Sequence, residues 1–459
     1  MNKKGFVLIS SYMIVSVLLI IGVSFVVRSI AEKRAAERAF LNTAALYMAE
    51  SGVECTWNYL RGLTNPPTNA NNEVVTACSN QDLCNGSCSG PSGCTSLCGK
   101  YSTTITSILR SGQRPSIRII ATGTVSSGSN TVTRQLVDEI RLDDYARYAY
   151  FTNTEEYFNN KVWFISNDSL NGPTQTNGQL HISGDPTFND SLSGYEYAVR
   201  MSYSSIDYMH GGPPTDNPNF ITGIQMGAEK EELPSKALEL RGAVGPGELG
   251  LKLNGSTTII LNSNGTMNVT NSQNGWNNYN TSLPLNGAVF VYGGDVMVSG
   301  VLDGQLTIGT NRNIIVTDNI TYLDKTGTDP DFADVLGLIA EKDVKIGSSA
   351  PTNVEVDASI MALSKSFMVE DYDGPNKGTL TVYGGIIQRD RGPVGTFDPV
   401  HNVKASGYSK DYQYDSRLAG ALTPPFYPKT NDYLNLSWQD EQYALPASNA
   451  SDETPPPLE

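Results

Sequence analysis

The stretch from Phe6 to Val27, FVLISSYMIVSVLLIIGVSFVV, carries no charge and opens after only MNKKG. A helix of that length rises about 33 Å at about 1.5 Å per residue, enough to cross a hydrocarbon core of about 30 Å. A secretory h-region of about 7 to 15 residues is shorter and ends in small residues, whereas this run ends in Phe25, Val26, Val27 and Arg28. A single membrane-spanning helix is therefore the element around which the rest of the chain must fold. Lys3 and Lys4 precede it, and the tendency of cationic flanks to stay cytoplasmic puts everything after Arg28 outside. Arg28, Lys33, Arg34 and Arg38 oppose that vote from the far flank, so topology rests on the remaining sequence.

Composition decides it. The chain has Lys+Arg 32 against Asp+Glu 47 and a net charge of -15. A partner with a phosphate backbone would be repelled, which excludes nucleic acid. The six cysteines are Cys55, Cys78, Cys84, Cys88, Cys94 and Cys98, the last five in a Gly/Ser/Asn-rich stretch. No C-x-x-C occurs and no histidine is near, so a zinc site is disfavoured and disulfides in an oxidising compartment are expected. Their connectivity stays open, since six cysteines allow 15 pairings. The bulk of the chain is thus expected outside the inner membrane.

Beyond Arg28 the sequence AEKRAAERAFLNTAALYMAESGVECTWNYL has no proline, and its Ala, Leu, Glu and Arg content continues the helix to about Leu63. Phe40, Ala44, Tyr47, Met48, Val53 and Trp57 recur near the helical period and form the expected buried face. Asn65, Pro66 and Pro67 stop the helix. The period then changes to two: YSTTITSIL, PSIRIIATGTV and NTVTRQLVDEIRL alternate β-branched and polar residues, which predicts three antiparallel strands packed on the stem.

From Asp143 onward short strands alternate with Gly/Asn/Asp turns. VYGGDVMVSG, LIAEKDVKIG and MALSKSFMVED share one pattern, an aliphatic pair, a turn, then apolar-x-apolar. A recurrence of about 20 residues suits one coil of a solenoid; a β-sandwich is the alternative. The fold class read from sequence is α+β, mostly β: a long N-terminal helix on a small antiparallel sheet, followed by a β-solenoid body. The segments are 1–5 (leader), 6–27 (membrane half), 28–63 (stem), 64–100 (cysteine loop), 101–143 (small sheet), 144–286 (Gly/Asn-rich β region), 287–395 (solenoid-like region) and 396–459 (Pro-rich tail).

KKG followed by Phe6 and the apolar helix resembles the class III leader of type IV pilins and pseudopilins. AFLNTAALYMAESGVE, from Ala39 to Glu54, resembles the AEAG-type signature of PilX-like pilus assembly proteins. ARYAYFTN, VWFISNDSLNGPTQTNGQLHISGDPTF and LTVYGGIIQRDRGPVGTF are similar to a domain of unknown function found behind such N-termini. The resemblance implies that a prepilin peptidase cuts between Gly5 and Phe6 and methylates the new terminus, and that other pilin or pseudopilin subunits are the partners. It also exposes a departure. Most pilins carry glutamate at the fifth mature position, which here is Ser10. In a fibre that glutamate pairs with a neighbour's terminal amine, because an uncompensated charge in an apolar bundle costs several kcal/mol. Its absence resembles the tip-located minor pseudopilins; the alternative is that Ser10 and Ser11 simply bond to carbonyls of the preceding turn.

Catalytic signals are weak. Asp324, Asp329, Asp331 and Asp334, and Asp371 with Asp373, have oxygen chemistry suited to calcium but do not fit its loop pattern; they read as turn residues. His181, His210 and His401 stand far apart. Neither a G-x-S-x-G, a phosphate loop nor an H-E-x-x-H occurs. Tyr408, Tyr412 and Tyr414 could present sugar-binding faces, but strand packing is the commoner use. The sequence therefore predicts a structural or assembly protein, with no enzyme activity and no cofactor. The alternative is a membrane-anchored carbohydrate-active enzyme or surface adhesin on the same scaffold. All six cysteines should be oxidised: non-reducing mass analysis should find three disulfides, and six free thiols or a bound metal would overturn that reading.

Overall fold

The structure is a computed structural model and describes residues 3–63, 67, 70–79, 81–82, 98–108, 116–127, 130–166, 168–190, 197–327, 332–401, 403–420 and 422–440. Contacts divide the chain into two compact units, Met1–Arg110 with Pro115–Leu142 and Asp432–Glu459, and Ser111–Arg114 with Asp143–Asn431.

The first unit is built on one unbroken helix, α1 (Lys3–Arg61). Three long strands, β1 (Cys98–Ile108), β2 (Ser116–Ser127) and β3 (Asn130–Asp144), form an antiparallel meander in which Ile119 faces Ile105 and Ala121 faces Leu136. Short strands Glu73–Val74 and Gln81–Asp82 pair with β1, and the strand Lys429–Asp440 lies beside β3. The sheet is thus completed by a segment that the sequence reading grouped with a Pro-rich tail from 396. Its alternation, KTNDYLNLSWQD, is a strand pattern hidden by flanking prolines.

The C-terminal half of α1 buries Leu41, Ala45, Ala49, Val53 and Leu60 against Ile105, Ile119, Ala121, Val125, Leu136 and Ile140 of the sheet. Phe40 and Tyr47, expected on the buried face, are each 59% exposed. The reason is the closeness of helix to sheet. A Cβ on Gly123 of β2 would lie 2.2 Å from the Ala45 carbonyl oxygen and 2.4 Å from the Ala49 nitrogen. Only small residues fit at that crossing, so the alanines turn inward and the large rings turn away.

In the second unit the strands stack as parallel ladders. One column of facing positions runs Leu251, Val289, Ile308, Leu338, Ile360, Ile386, Tyr150, Thr174, Val199, Ile224. A second runs Thr257, Val296, Ile314, Val344, Phe367. A third runs Ile320, Val356, Val382, Tyr412, Leu170, Phe188, Phe220. Aliphatic and aromatic members of these columns make one buried cluster. The chain enters at Tyr150, in the middle of the first column. It steps outward to Ile224, continues at Leu251 from the opposite end, and steps back until Ile386 pairs with Tyr150.

Between strands Ala288–Tyr292 and Thr174–Thr176 the first ladder is buried on both faces. Its outward column, Phe290, Gly309, Ile339, Met361, Ile387 and Phe151, is covered by residues such as Leu240, Leu418, Leu422 and Tyr427. This explains why VLGLIA, Val335–Ala340, has all six residues buried, as parallel strands covered on two sides require.

Gly123 is the most constrained position of the first unit. Gly123→Val should lower the thermal transition of the full chain, by at least the roughly 1–3 kcal/mol typical of overpacking, because the obstructing atoms are helix backbone. Circular dichroism melts check this; an unchanged transition would mean the helix does not sit on β2.

Candidate functional site

Two regions hold the features from which function can be argued: the surface of α1, and the joint in the second unit where Tyr150 meets Ile386.

Along the first half of α1, residues 11–27 are apolar and uncovered. From Ser11 on, the helix contains an 18-residue window of mean hydropathy 2.4 with none of it buried. Tyr12, Leu18, Leu19, Ile20 and Phe25 are all more than 60% exposed. By length and composition this helix can cross a membrane. Its hydroxyls are satisfied internally, Ser16 donating to the Tyr12 carbonyl and Ser24 to the Ile20 carbonyl, each at 2.8 Å, as membrane helices require. Gly5, Phe6 and Ser10 lie inside the same helix, and their side chains fall outside the described residues.

The lower half is tied to its sheet by more than apolar contact. Trp57 Nε1 donates to Asp138 Oδ2 at 2.8 Å, and Asn435 Nδ2 donates to Oδ1 of the same carboxylate at 2.7 Å. Asp138 is fully buried, and burial raises its pKa against the lowering effect of those two donors. Cys55 of α1 is disulfide-bonded to Cys78, with a Cα–Cα distance of 5.7 Å. Cys84, Cys88, Cys94 and the side chain of Cys98, on which the other expected bridges fall, lie outside the described residues.

At the joint of the second unit sits a buried charge network that sequence reasoning missed. Arg391 Nη1 donates to Glu155 Oε2 at 3.2 Å and to the Val162 carbonyl at 3.0 Å, and Nη2 reaches the Trp163 carbonyl at 3.2 Å. The guanidinium lies 3.5 Å from the centre of the Phe164 ring. Nearby, Lys410 Nζ pairs with Asp168 Oδ2 at 2.5 Å, and burial lowers the Lys410 pKa against the pull of Asp168. Gln388 Oε1 accepts from the amides of Phe367 at 2.9 Å and Gly392 at 3.0 Å. Arg391 stands in the GGIIQRDRGPVG stretch, but Glu155 is 236 residues away. No local pattern links them.

The candidates read from sequence scatter. Each histidine has its own aspartate: His181 Nδ1 with Asp207 Oδ2 at 2.7 Å, His210 Nδ1 with Asp216 Oδ1 at 2.9 Å, His401 Nδ1 with Asp398 Oδ2 at 2.6 Å. His181 and Asp207 face each other on adjacent strands, so His181 pairs across the sheet. Asp324 accepts from the Thr326 amide and Asp334 from the Gly304 amide, each at 2.7 Å, the work of turn residues; Asp329 and Asp331 lie outside the described residues. Tyr408, Tyr412 and Tyr414 are buried in the body, the packing role that strands commonly give tyrosine. Among the described residues no group of three His, Cys, Asp or Glu side chains could hold a metal ion.

A family model for a domain of unknown function, DUF4900, matches residues 114–195. No curated protein matches the chain in sequence. Among solved structures the chain is similar to the competence-associated pilin ComZ from Thermus thermophilus, with 13% identity, a TM-score of 0.34, and coverage of 87% of this chain and 98% of that one.

Burial lowers the pKa of His181 below its usual 6.5, against its hydrogen bond to Asp207 and the charge of Glu155. A histidine kept neutral by the fold stabilises it fully above about pH 6.5, and that contribution is lost as pH falls through the lowered value. The melting temperature should therefore fall between pH 7.5 and pH 5, and His181→Asn should flatten the slope. Equal slopes in the two proteins would remove His181 from the pH response.

Proposed function

We propose that this chain is a membrane-anchored, pilin-like structural subunit that carries a large β body on the extracytoplasmic side of the inner membrane. The observation that carries the reading is the division of α1. One continuous helix is uncovered and apolar over residues 11–27, and clamped by small residues, Trp57–Asp138 and Cys55–Cys78 onto an antiparallel sheet over its second half. A helix of that kind has one half for lipid or for neighbouring helices and one half for its own head. Phe40 and Tyr47, uncovered on the stem, add large apolar contacts for adjacent pilin or pseudopilin subunits.

In this reading a prepilin peptidase cuts between Gly5 and Phe6, Phe6 is methylated, and residues 6–27 hold the mature protein in the membrane. Ser10 supplies no carboxylate for a preceding subunit's amine, which suits a minor subunit that begins or tips a filament, since such a subunit has no predecessor to pair with. The cysteine loop, 64–100, is stapled to the stem by three disulfides, of which Cys55–Cys78 is the anchor. The body is a β-solenoid. Its in-register columns support this, each strand facing its equivalent one coil away. No catalytic step is part of the reading.

A surface adhesin on the same scaffold is the second reading, supported by a pocket in the body described below. The test of the main reading is the mass of the N-terminal peptide of the protein from its native membrane. A methylated terminus at Phe6 is expected; a chain that retains Met1 to Gly5 would sink the pilin-like reading and leave a plain signal-anchored protein.

A further inference from the structure

A cavity of 490 Å³ opens beside the joint of the second unit, between a segment near its start that includes Tyr157, Trp163 and Asp168 and segments near its end that include Tyr372, Thr396 and Lys404. Its size falls within the roughly 300–1,000 Å³ of small-molecule sites. Five aromatic residues line it, Tyr157, Trp163, Tyr372, Phe397 and Tyr408, with Tyr157 and Tyr372 edge to face at 6.2 Å. Three lysines line it as well, Lys161, Lys404 and Lys410, with Asp168 the carboxylate among the lining residues. That balance is the reverse of the chain's, whose net charge is -15.

The three cations differ. Lys410 is paired with Asp168 at 2.5 Å, and Lys161 with Asp207 at 2.8 Å. Lys404 donates to the carbonyls of Lys377 and Gly378, and among the described residues no carboxylate pairs with it. It is half-buried, and burial lowers its pKa. Such an ammonium lacks a counter-charge, and an anion entering the cavity would supply one. The rings offer apolar faces to a flat ligand with hydroxyls around its edge, while Asn160 and Thr396, also on the wall, offer hydrogen bonds. A rigid ring with C–H faces, hydroxyl edges and one carboxylate matches each of these features; a fatty acid would leave the polar wall unsatisfied.

We propose that this cavity is a binding site for an acidic pyranose, a hexuronate or a short hexuronate oligomer, with Lys404 receiving the carboxylate and Tyr157, Trp163 and Tyr372 the ring faces. The inference stands apart from the pilin-like reading, since it depends on the second unit alone.

The test is calorimetric titration of the detergent-solubilised full chain with digalacturonate, with neutral digalactose and sodium acetate in parallel. Saturable binding of digalacturonate, at a Kd of about 1 mM or tighter, is expected, with both controls at least roughly tenfold weaker. Lys404→Gln, which keeps a donor for the two carbonyls, should weaken binding roughly tenfold without moving the melting temperature. Lys404→Arg, which keeps the charge, should retain it and serves as the decisive variant if the glutamine protein melts early. The proposal is overturned by absent saturation, by digalactose or acetate binding as well as digalacturonate, or by a well-folded Lys404→Gln protein that binds unchanged.

Discussion

The second unit depends on the pairing of Tyr150 with Ile386 on one side and Thr174 on the other. A parallel strand buried on both faces has no water to satisfy its amides and carbonyls, so each ladder position needs two neighbours. Without Tyr150–Thr154, the run from Thr174 to Met226 and the run from Leu251 to Asp390 would each end in an open edge. The entering strand fills that gap and makes one ladder of two. Aliphatic columns alone tolerate a slip by two residues, because Ile, Val and Leu replace one another at similar cost. Arg391 against Glu155 does not: a slip would leave each charge buried without its partner, at a cost of several kcal/mol. The ion pair adds the register that apolar stacking lacks.

The first unit answers a different constraint. A helix that must leave its sheet and continue uncovered cannot be held by bulk, because large side chains would push it away from the strands. Ala45, Ala49 and Gly52 on the helix and Gly123 on β2 bring the backbones together, so that dispersion and burial act over a short separation. Thr56 is accommodated there because its hydroxyl donates to Gly52 and contacts Thr103 Oγ1 at 3.0 Å. The close approach releases Phe40 and Tyr47 to the opposite face, where they continue the uncovered apolar surface of residues 11–30.

What could be read in advance follows from how local each signal is. The extent of α1 was legible because hydropathy and proline placement act within a few residues; β1 to β3 were legible from period-two alternation. The buried face of the stem was misjudged by about one residue, since sequence ranks Phe and Tyr above Ala for burial while the crossing distance reverses that order. The strand Lys429–Asp440 was passed over because its partner, β3, lies almost 300 residues earlier. Of the features around the cavity, the GGIIQRDRG stretch was noticed as glycine-rich, yet nothing near it announced that Arg391 would meet Glu155 or that Lys404 would bond backbone carbonyls and, among the described residues, no carboxylate.

The sequence by itself determined a long apolar helix, the oxidised state of cysteine that Cys55–Cys78 shows, three alternating strands and a body of short β segments, because each depends on residue types or on residues close together in the chain. Only the tertiary structure decided that the body begins in the middle of its own ladder, that its first strand pairs with one near its end, and that three lysines and five aromatic residues gather around one cavity. Loop closure grows only as the logarithm of length, so the chain tolerates long excursions between strands. Which of them become neighbours is set by complementarity of side chains hundreds of residues apart, and no local pattern carries that information.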